Sequence, residues 1–381
     1  MLKNCITVED YRRRARRALP APIYDYLAGG ADDEWSVTNN ESAFLRYDLM
    51  PEYLRDISKI DMTAKVLGAK LAAPIILAPT GMSRLFHHEK EFGVARAAHG
   101  AGLMYSLSTM GTTSIEDVAG DSVGANMFQI YIHKDRSLTD EFVDRAKAAK
   151  YDALCLTVDT PLAGNRERDK RSGFEMPPRL KLKSLLSFAA HPRWALNLLR
   201  HHDFNLANLA GRRDTRGAGT VGVIDYVNSQ FDRTVTWDDV ARIVERWGGP
   251  FAIKGLQSPE DAARAVDIGA SAVMISNHGG RQLDFAPAPI DCIAPMRDKV
   301  GDGLELVVDG GVRRGTDILK AVALGANAVS FGRPYLYALA AGGEIGVKNY
   351  LGGLKDELAR DMALLGVRNV GEIEERHCRP L

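Results

Sequence analysis

Eight short apolar runs recur along the chain of 381 residues, with room for one helix between most neighbours. Each run is apolar throughout, which is typical of strands buried on both faces of a parallel sheet. The runs are residues 73–80, 103–109, 127–132, 153–159, 251–255, 272–278, 305–311 and 328–333. Eight strands alternating with helices predict an α/β fold, a TIM (β/α)8 barrel. A doubly wound open sheet is the alternative architecture.

Amphipathic segments lie between the runs, as at residues 137–150 and 258–270, and each begins at a residue that can cap a helix. The interval between the fourth and fifth runs is much longer than the others, and a helix predicted at 236–248 fills only its end. We therefore expect residues 160–235 to form an insertion. It follows the carboxyl end of a strand, which is the active-site face of a barrel.

Residues 1–72 precede the first predicted strand and include a capped helix at 7–20 and a glycine-bearing turn, YDYLAGGADDE. They are interpreted as an N-terminal helical elaboration of the barrel. Because no low-complexity linker interrupts the sequence, residues 1–381 are expected to form a single domain.

The composition excludes some classes of function. Lysine plus arginine and aspartate plus glutamate both number 49, so the net charge gives no general reason to expect a nucleic-acid partner. The sequence has neither a signal peptide nor 18 uninterrupted apolar residues, which predicts a cytoplasmic protein without a membrane span. A reducing compartment suits its four widely spaced cysteines, Cys5, Cys155, Cys292 and Cys378.

Polar residues and glycines stand where the predicted strands end. Because the carboxyl ends of parallel strands meet at one face of a barrel, these residues are expected to line one pocket. Lys254 is the most informative, since a cation inside a barrel is costly unless an anion or a polar ligand answers it. The set is Pro79, Thr80, Gly81, Ser108, Gln129, Tyr131, Thr157, Asp159, Lys254, His278, Asp309, Gly310, Gly311, Gly332 and Arg333.

The loops after the seventh and eighth strands each combine glycine with arginine. Gly310 and Gly311 are followed by Arg313, and Gly332 by Arg333. Backbone N–H groups freed by glycine, together with a guanidinium, are suited to phosphate, and these two loops commonly bind phosphate in such barrels. No GxxxxGK[ST] fingerprint occurs in the sequence, and no metal is expected.

Six segments together resemble one family: SNHGGRQLD, LTVDTP, FQIYI, IKG, DGGVRRGTD and ALGANAVSFGRP. The sequence is similar to the FMN-dependent L-2-hydroxy acid dehydrogenases and oxidases, which include glycolate oxidase, L-lactate dehydrogenase and mandelate dehydrogenase. The likeness runs from the N-terminal helix to the C-terminal tail and fails only across residues 172–235. It implies an enzyme that oxidises an L-2-hydroxy acid, most readily L-lactate, to the 2-oxo acid.

The resemblance also implies catalytic and substrate-binding roles. His278 corresponds to the catalytic base, and Asp159 to the carboxylate that orients it and stabilises its protonated form. Arg281 corresponds to the residue that holds the substrate carboxylate, with Tyr26 as a second contact. Tyr131 is expected to bond the substrate hydroxyl or the developing oxyanion.

The same resemblance implies FMN as the cofactor. Lys254 is expected to face the N1–C2=O edge of the flavin, where negative charge collects on reduction. The remaining cofactor-binding residues implied are Pro79, Thr80, Gly81, Ser108, Gln129, Thr157, Ser276, Gly279, Asp309, Gly311, Arg313, Gly332 and Arg333.

Two positions depart from the glycolate oxidase pattern. Met110 stands where those members have tryptophan, which leaves the size of the substrate open. Gly81 stands where many oxidases have alanine, which favours a dehydrogenase whose electrons pass to a quinone or another acceptor. The alternatives are a soluble oxidase that forms H₂O₂ and a flavin-free barrel that serves as a binding protein. A homo-oligomer, a tetramer, is expected from the family.

The insertion contains a segment that is both basic and apolar. Residues 172–213 hold seven lysines or arginines against two acidic residues. Such a segment is suited to a membrane interface with anionic lipid. It predicts a peripheral position on the inner face of the cell membrane, where the protein can contact a membrane quinone. A lid over the barrel mouth is the alternative. Pro192 predicts two short helices, with basic residues Arg179, Lys181, Lys183, Arg193 and Arg200 and apolar residues Leu182, Leu185, Leu186, Phe188, Trp194, Leu196, Leu198 and Leu199.

Overall fold

A closed barrel of eight parallel strands forms the centre of the computed structural model, which describes residues 2, 4–174, 181–201, 204–209 and 231–381. The barrel strands are β4 (Ile75–Thr80), β5 (Met104–Ser108), β6 (Asn126–Ile130), β7 (Ala153–Thr157), β8 (Phe251–Leu256), β9 (Ala272–Ile275), β10 (Glu305–Asp309) and β11 (Ala328–Phe331). Each pairs in parallel with its neighbours in chain order, and β11 closes the ring on β4. The predicted TIM barrel is confirmed, and the open sheet is excluded.

Short strands and helices surround the barrel. The short strands are β1 (Tyr47–Leu49), β2 (Ala64–Val66), β3 (Ala69–Leu71) and β12 (Cys378–Pro380). The helices are α1 (Val8–Ala18), α2 (Ala21–Ala28), α3 (Trp35–Ser42), α4 (Lys90–Gly100), α5 (Ile115–Asp121), α6 (Arg136–Ala148), α7 (Glu167–Ser172), α8 (Leu182–Ala189), α9 (Pro192–Arg200), α10 (Trp237–Trp247), α11 (Pro259–Asp267), α12 (Ile293–Val300), α13 (Gly315–Ala323) and α14 (Arg333–Leu365). Gly342 and Gly343 break the regular helical conformation of α14.

Six of the eight predicted strands extend too far at their carboxyl ends. The run at 272–278 continues as a strand only to Ile275. The reason is backbone conformation, since His278, Gly279 and Gly280 have φ values of 57°, 64° and 73°. Three consecutive residues in the left-handed region cannot continue a strand, so the polar residues belong to the loops that follow it.

The predicted helices begin and end close to where their caps place them. Helix α1 starts after Thr7, whose hydroxyl accepts the Asp10 backbone N–H while the Asp10 carboxylate accepts the Thr7 N–H. Thr236 and Asp239 cap α10 in the same way. These reciprocal bonds satisfy backbone donors that a helix start otherwise leaves unpaired.

The two faces of the barrel wall carry side chains of different size. The interior is filled mainly by small or flexible side chains, among them Met127, Cys155, Ala252 and Met274. Larger groups such as Phe128 point outward and pack under the helices. The barrel is therefore a packed core and not a pore, and only the carboxyl ends of its strands remain open for a site.

Helix α3 joins the N-terminal region to two loops at the barrel mouth. The side-chain amides of Asn40 and Asn277 form reciprocal hydrogen bonds of 2.8 and 2.7 Å. The carboxylate of Asp284 accepts the backbone N–H of Ser36 at the helix start. A Cβ on Gly311 would lie 2.1 Å from the Asn40 carbonyl oxygen, so the loop after β10 also passes directly against α3.

The described part of the insertion contains the two short helices that Pro192 predicted, α8 and α9. Five leucines of these helices are 50 to 72% exposed: Leu182, Leu185, Leu186, Leu196 and Leu199. Phe188, Trp194 and Leu198 are partly buried, so they do not belong to the exposed apolar face of these helices. The physical reason for Trp194 is a 2.8 Å hydrogen bond from its indole N–H to the Leu85 carbonyl. Arg179 lies outside the described residues.

Across the described ranges, no helix is both long enough and apolar enough to cross a membrane. Within the insertion, α8 and α9 are eight and nine residues long, and α7 is shorter. A helix that spans the hydrocarbon core needs about 20 apolar residues.

Candidate active site

A cavity of about 470 Å³ opens at the carboxyl ends of the barrel strands. It is lined by seventeen of the nineteen residues that the sequence assigned to the site: Tyr26, Pro79, Thr80, Gly81, Ser108, Gln129, Tyr131, Thr157, Lys254, His278, Gly279, Arg281, Asp309, Gly311, Arg313, Gly332 and Arg333. The other two, Asp159 and Ser276, contact lining residues from behind. The structure therefore brings the whole predicted set together.

A hydrogen bond to Asp159 orients His278 at the wall of this cavity. Its Nδ1 lies 2.8 Å from Oδ1 of Asp159, and its backbone N–H donates to Ser276 Oγ at 3.0 Å. Burial raises the pKa of Asp159, but the charge of His278, their hydrogen bond and the nearby Lys254 lower it more, so the net shift is downward. An ionised Asp159 fixes the proton of a neutral imidazole on Nδ1, which leaves Nε2 with a lone pair.

Arg281 contacts backbone carbonyls and an aromatic ring. Its guanidinium donates to the carbonyls of Tyr26 and Gly29 at 2.7 and 3.2 Å, and its Cζ lies 5.0 Å from the centre of the Tyr26 ring. Within the described part of the chain, no carboxylate forms an ion pair with it. Burial lowers the pKa of Arg281 to about 10. A cation in this state is available to an anionic ligand.

Lys254 is buried in the barrel, where two oxygens accept from it. Its Nζ lies 2.8 Å from Asp309 Oδ2 and donates to Ser276 Oγ at 3.0 Å, while the Ser276 hydroxyl donates to Asp309 at 2.8 Å. Burial lowers the pKa of Lys254, but Asp309 and Asp159 raise it by more. The net shift is upward, so the ammonium stays charged. The anion that the sequence required for Lys254 is thus supplied from β10, and an ammonium has a third donor to offer.

Two further arginines lie where the sequence predicted phosphate binding. Arg333 donates to the carbonyls of Gly279 and Gly29, each at 2.7 Å, and forms no ion pair among the described residues. Burial lowers the pKa of Arg333. Arg313 differs, because its guanidinium forms an ion pair with Glu41 at 2.7 Å.

Glycines keep the backbone close to its neighbours around the cavity. A Cβ on Gly81 would lie 2.8 Å from Cβ of Met110, and one on Gly279 would lie 2.7 Å from Arg333 Nη1. On Gly332 it would lie 3.1 Å from Cγ2 of Thr80. Larger residues at these positions would displace side chains that line the cavity.

The sequence did not indicate several lining residues, among them Phe86, Phe174, Phe231 and Arg166. Phe231 packs edge to face on Tyr131 with ring centres 5.1 Å apart, and Phe174 packs in the same way on Tyr26 at 5.6 Å. Arg166 lies over the Tyr26 ring at 5.2 Å. Arg166, Phe174 and Phe231 lie in the insertion, and the two phenylalanines fall where the likeness fails, so no pattern marks these residues as part of the site.

The model of one protein family, described as FMN-dependent dehydrogenase, matches residues 15–380. The chain belongs to this family. As a member it is an oxidoreductase that uses FMN to oxidise a 2-hydroxy acid. The cofactor and the enzyme class that the sequence predicted are confirmed, which excludes the flavin-free alternative.

Relatives of known sequence and structure cover nearly the whole chain. Glycolate oxidase 1 of Oryza sativa subsp. indica is 40% identical over 370 residues, 97% of this chain and 94% of the relative. A Mycobacterium tuberculosis protein named “Putative L-lactate dehydrogenase” is 41% identical over 381 residues, 100% of this chain and 90% of its own. The crystal structure of the monotopic membrane protein (S)-mandelate dehydrogenase is 36% identical, covers 100% of both chains and has a TM-score of 0.95.

The residues around the cavity fit FMN. Phosphate requires cations and backbone donors, and Arg333 is a partly buried cation that forms no ion pair with a carboxylate among the described residues. A reduced flavin requires a positive charge near its pyrimidine ring, and Lys254 is a buried ammonium with a donor to offer.

The pair of Lys254 and Asp309 leads to a prediction about stability and pH. We expect Asp309→Asn to lower the free energy of unfolding by about 3–5 kcal/mol near neutral pH, because it leaves a buried ammonium without its partner. Burial then lowers the folded pKa of Lys254 below its unfolded value, and the penalty is lost as pH rises toward about 10. The gap between wild type and variant should therefore narrow at high pH.

Urea unfolding of both proteins across this pH range measures the gap. Asp302→Asn, which changes an exposed carboxylate, is the control and should unfold like the wild type. A gap that stays constant with pH would show that the loss does not arise from the charge of Lys254.

Proposed function

We propose that this protein oxidises L-lactate to pyruvate at the mouth of the barrel and passes the electrons to a membrane quinone. Oxidation at C2 of a 2-hydroxy acid removes two electrons and two protons. Bound FMN supplies the two-electron acceptor. The observation that carries the proposal is the arrangement of His278, whose Nδ1 is held by Asp159 while Nε2 is left for the substrate.

His278 is proposed as the base. With its proton on Nδ1, the neutral imidazole accepts a proton from the substrate at Nε2, and the resulting imidazolium is stabilised by Asp159 2.8 Å away. Burial alone would favour protonation of the Asp159 carboxylate, but the neighbouring imidazolium keeps it ionised. Tyr131 is proposed to donate to the substrate hydroxyl oxygen, and the pKa of its phenol is raised by burial, so it stays protonated.

The substrate carboxylate is proposed to bind Arg281. Support comes from its two carbonyl contacts, which fix the guanidinium in place without neutralising it. A planar fork binds a carboxylate through two parallel hydrogen bonds, which suits the carboxylate of a 2-hydroxy acid.

L-Lactate is favoured by the relative that matches this whole chain and is named as a lactate dehydrogenase. An aryl-substituted 2-hydroxy acid is the second candidate. Phe86 and Phe174, which line the cavity beside Tyr26, favour it, as does the likeness to the mandelate dehydrogenase structure. Met110 is flexible enough to adapt to either side chain.

Anaerobic titration with L-lactate, glycolate and L-mandelate tests the substrate and the acceptor. We expect L-lactate to bleach the flavin absorbance fastest, and a quinone analogue to restore it faster than air. Faster bleaching by L-mandelate would select the aryl substrate instead. Rapid reoxidation by air, with H₂O₂ released, would replace the dehydrogenase with a soluble oxidase.

For His278→Gln, we expect turnover to fall by about 10²–10⁴ while FMN stays bound, because only the proton acceptor is lost. Rapid-mixing measurements of flavin reduction give the rate, and the absorbance spectrum reports the bound cofactor. His99→Gln, on α4, is the matched control and should keep normal turnover. A His278 variant that retains a tenth of the wild-type rate would overturn the assignment.

The segment formed by α8 and α9, residues 182–200, is proposed to lie in the membrane interface. Its exposed leucines share the surface with Lys181, Lys183, Arg193 and Arg200, which are exposed as well. Large apolar side chains beside basic ones are typical of interfacial helices. The likeness to a monotopic membrane protein over the whole chain supports this position. A lid that only covers a small polar substrate has no need of outward-facing leucines.

Replacing Leu185 and Leu186 with serine tests the membrane position. We expect the amount of holoenzyme that sediments with lipid vesicles to fall by tenfold or more, since each leucine contributes about 1.5–3 kcal/mol when buried. Flavin reduction by substrate should stay unchanged. The control replaces Leu45 and Leu364, which are similarly exposed elsewhere. A wild-type enzyme that never sediments with vesicles would return the segment to the role of a lid.

A further inference from the structure

Helix α1 carries arginines for which the proposed chemistry has no use. It contains five arginines against two acidic residues, Glu9 and Asp10. We propose that Arg13, Arg16 and Arg17 bind the headgroups of anionic lipid. They would form the electrostatic half of one membrane-binding surface, whose apolar half is the α8–α9 segment. The inference rests on the proposed membrane position of that segment and adds a second element to it.

The geometry of α1 places these three arginines on its outward side. Tyr11 and Ala15 are buried, and α1 packs along α14. Positions 13, 16 and 17 follow the helical spacing of three and four residues on the opposite side, and all three are exposed. The basic side chains therefore form one face and are not scattered around the helix.

Two of the three arginines form no ion pair with the described residues. Arg13 forms an ion pair with Asp10 within the helix. Arg16 instead lies over the Tyr24 ring with its Cζ 6.0 Å from the ring centre, and Arg17 has no ion pair in the described ranges. A surface arginine that is not held in an ion pair is available to an external anion.

The start of α2, just after the arginine face of α1, contacts the apolar segment. The chain turns after α1, and the Ala21 backbone N–H donates to Ser187 Oγ of α8 at 2.8 Å. Helix α2 packs against α8. Ser187 follows the exposed Leu186, so cations at the end of α1 and leucines of α8 lie on either side of this contact.

Anionic lipid fits this surface better than other partners do. The protein has no net charge, so attraction to an anionic surface requires a local concentration of cations, and α1 supplies one. Exposed leucines beside those cations suit a lipid bilayer, because its headgroup layer is charged and its interior is apolar. A second copy of the chain related by a two-fold axis on this face would bring the same arginines together, and their repulsion disfavours this partner.

Vesicle co-sedimentation of the FMN-loaded enzyme tests the proposal. The vesicles are phosphatidylcholine with or without phosphatidylglycerol, and the variant is Arg16→Gln with Arg17→Gln. Near an anionic surface each basic residue raises binding by about fivefold, so the double variant should bind anionic vesicles about 30-fold more weakly. Binding to phosphatidylcholine alone should not change, and high salt should remove the difference.

The matched control is Arg264→Gln with Lys299→Gln, which removes two exposed cations from α11 and α12. These helices follow β8 and β9, across the closed barrel from β4, beside which Trp194 anchors α9. The control should bind like the wild type. Equal loss in both double variants would show an effect of total charge and overturn the proposal.

Other outcomes would also overturn it. Wild-type affinity of the arginine variant for anionic vesicles, or no binding by any form, excludes a lipid role for α1. Release from vesicles by inorganic phosphate at constant ionic strength would indicate a site for the free anion. A changed oligomeric state of the variant in sedimentation velocity would assign the face to a second copy. Anaerobic flavin reduction by L-lactate, measured on every variant, reports the proposed catalytic function separately.

Discussion

Burial of positive charge at the carboxyl ends of the barrel strands is the constraint on which the site depends. Lys254, Arg281 and Arg333 all stand in the wall of one cavity, where water cannot solvate them fully. Lys254 is balanced by Asp309, but the two arginines contact only carbonyls and a ring among the described residues. Anions that bind these cations stabilise the folded barrel. A phosphate cofactor and a carboxylate substrate are both such anions.

The loop that carries His278 is held in an unusual conformation by residues outside the barrel. His278 has φ of 57°, which is uncommon for a residue other than glycine. Its loop is fixed by the amide pair of Asn277 and Asn40 and by the Ala31 N–H, which donates to the Gly280 carbonyl at 2.8 Å. The N-terminal helices are therefore part of the active site, because they fix the backbone that points the imidazole at the cavity.

The sequence predicted the barrel and its site more completely than it predicted the insertion. Continuous apolar runs predict buried strands, and parallel strands must bring their ends together, so residues as distant as Thr80 and Arg333 could be assigned to one pocket. The amide pair of Asn40 with Asn277 could not be predicted, since each residue is ordinary in its own segment. Phe174 and Arg166 were missed because a packing direction after β7, and not a local pattern, points them at Tyr26.

Helix α2 connects the chemistry to the proposed membrane surface. Ala21, at its start, donates to Ser187 of the α8–α9 segment, while Tyr26, near its end, supplies the ring and the carbonyl that contact Arg281. Five residues of helix span about 8 Å along the axis, so the proposed substrate site and that surface are only a short distance apart. An orientation that seats the leucines in lipid therefore also brings the barrel mouth to the interface. A quinone confined to the membrane and an acid dissolved in water can both reach an enzyme held there.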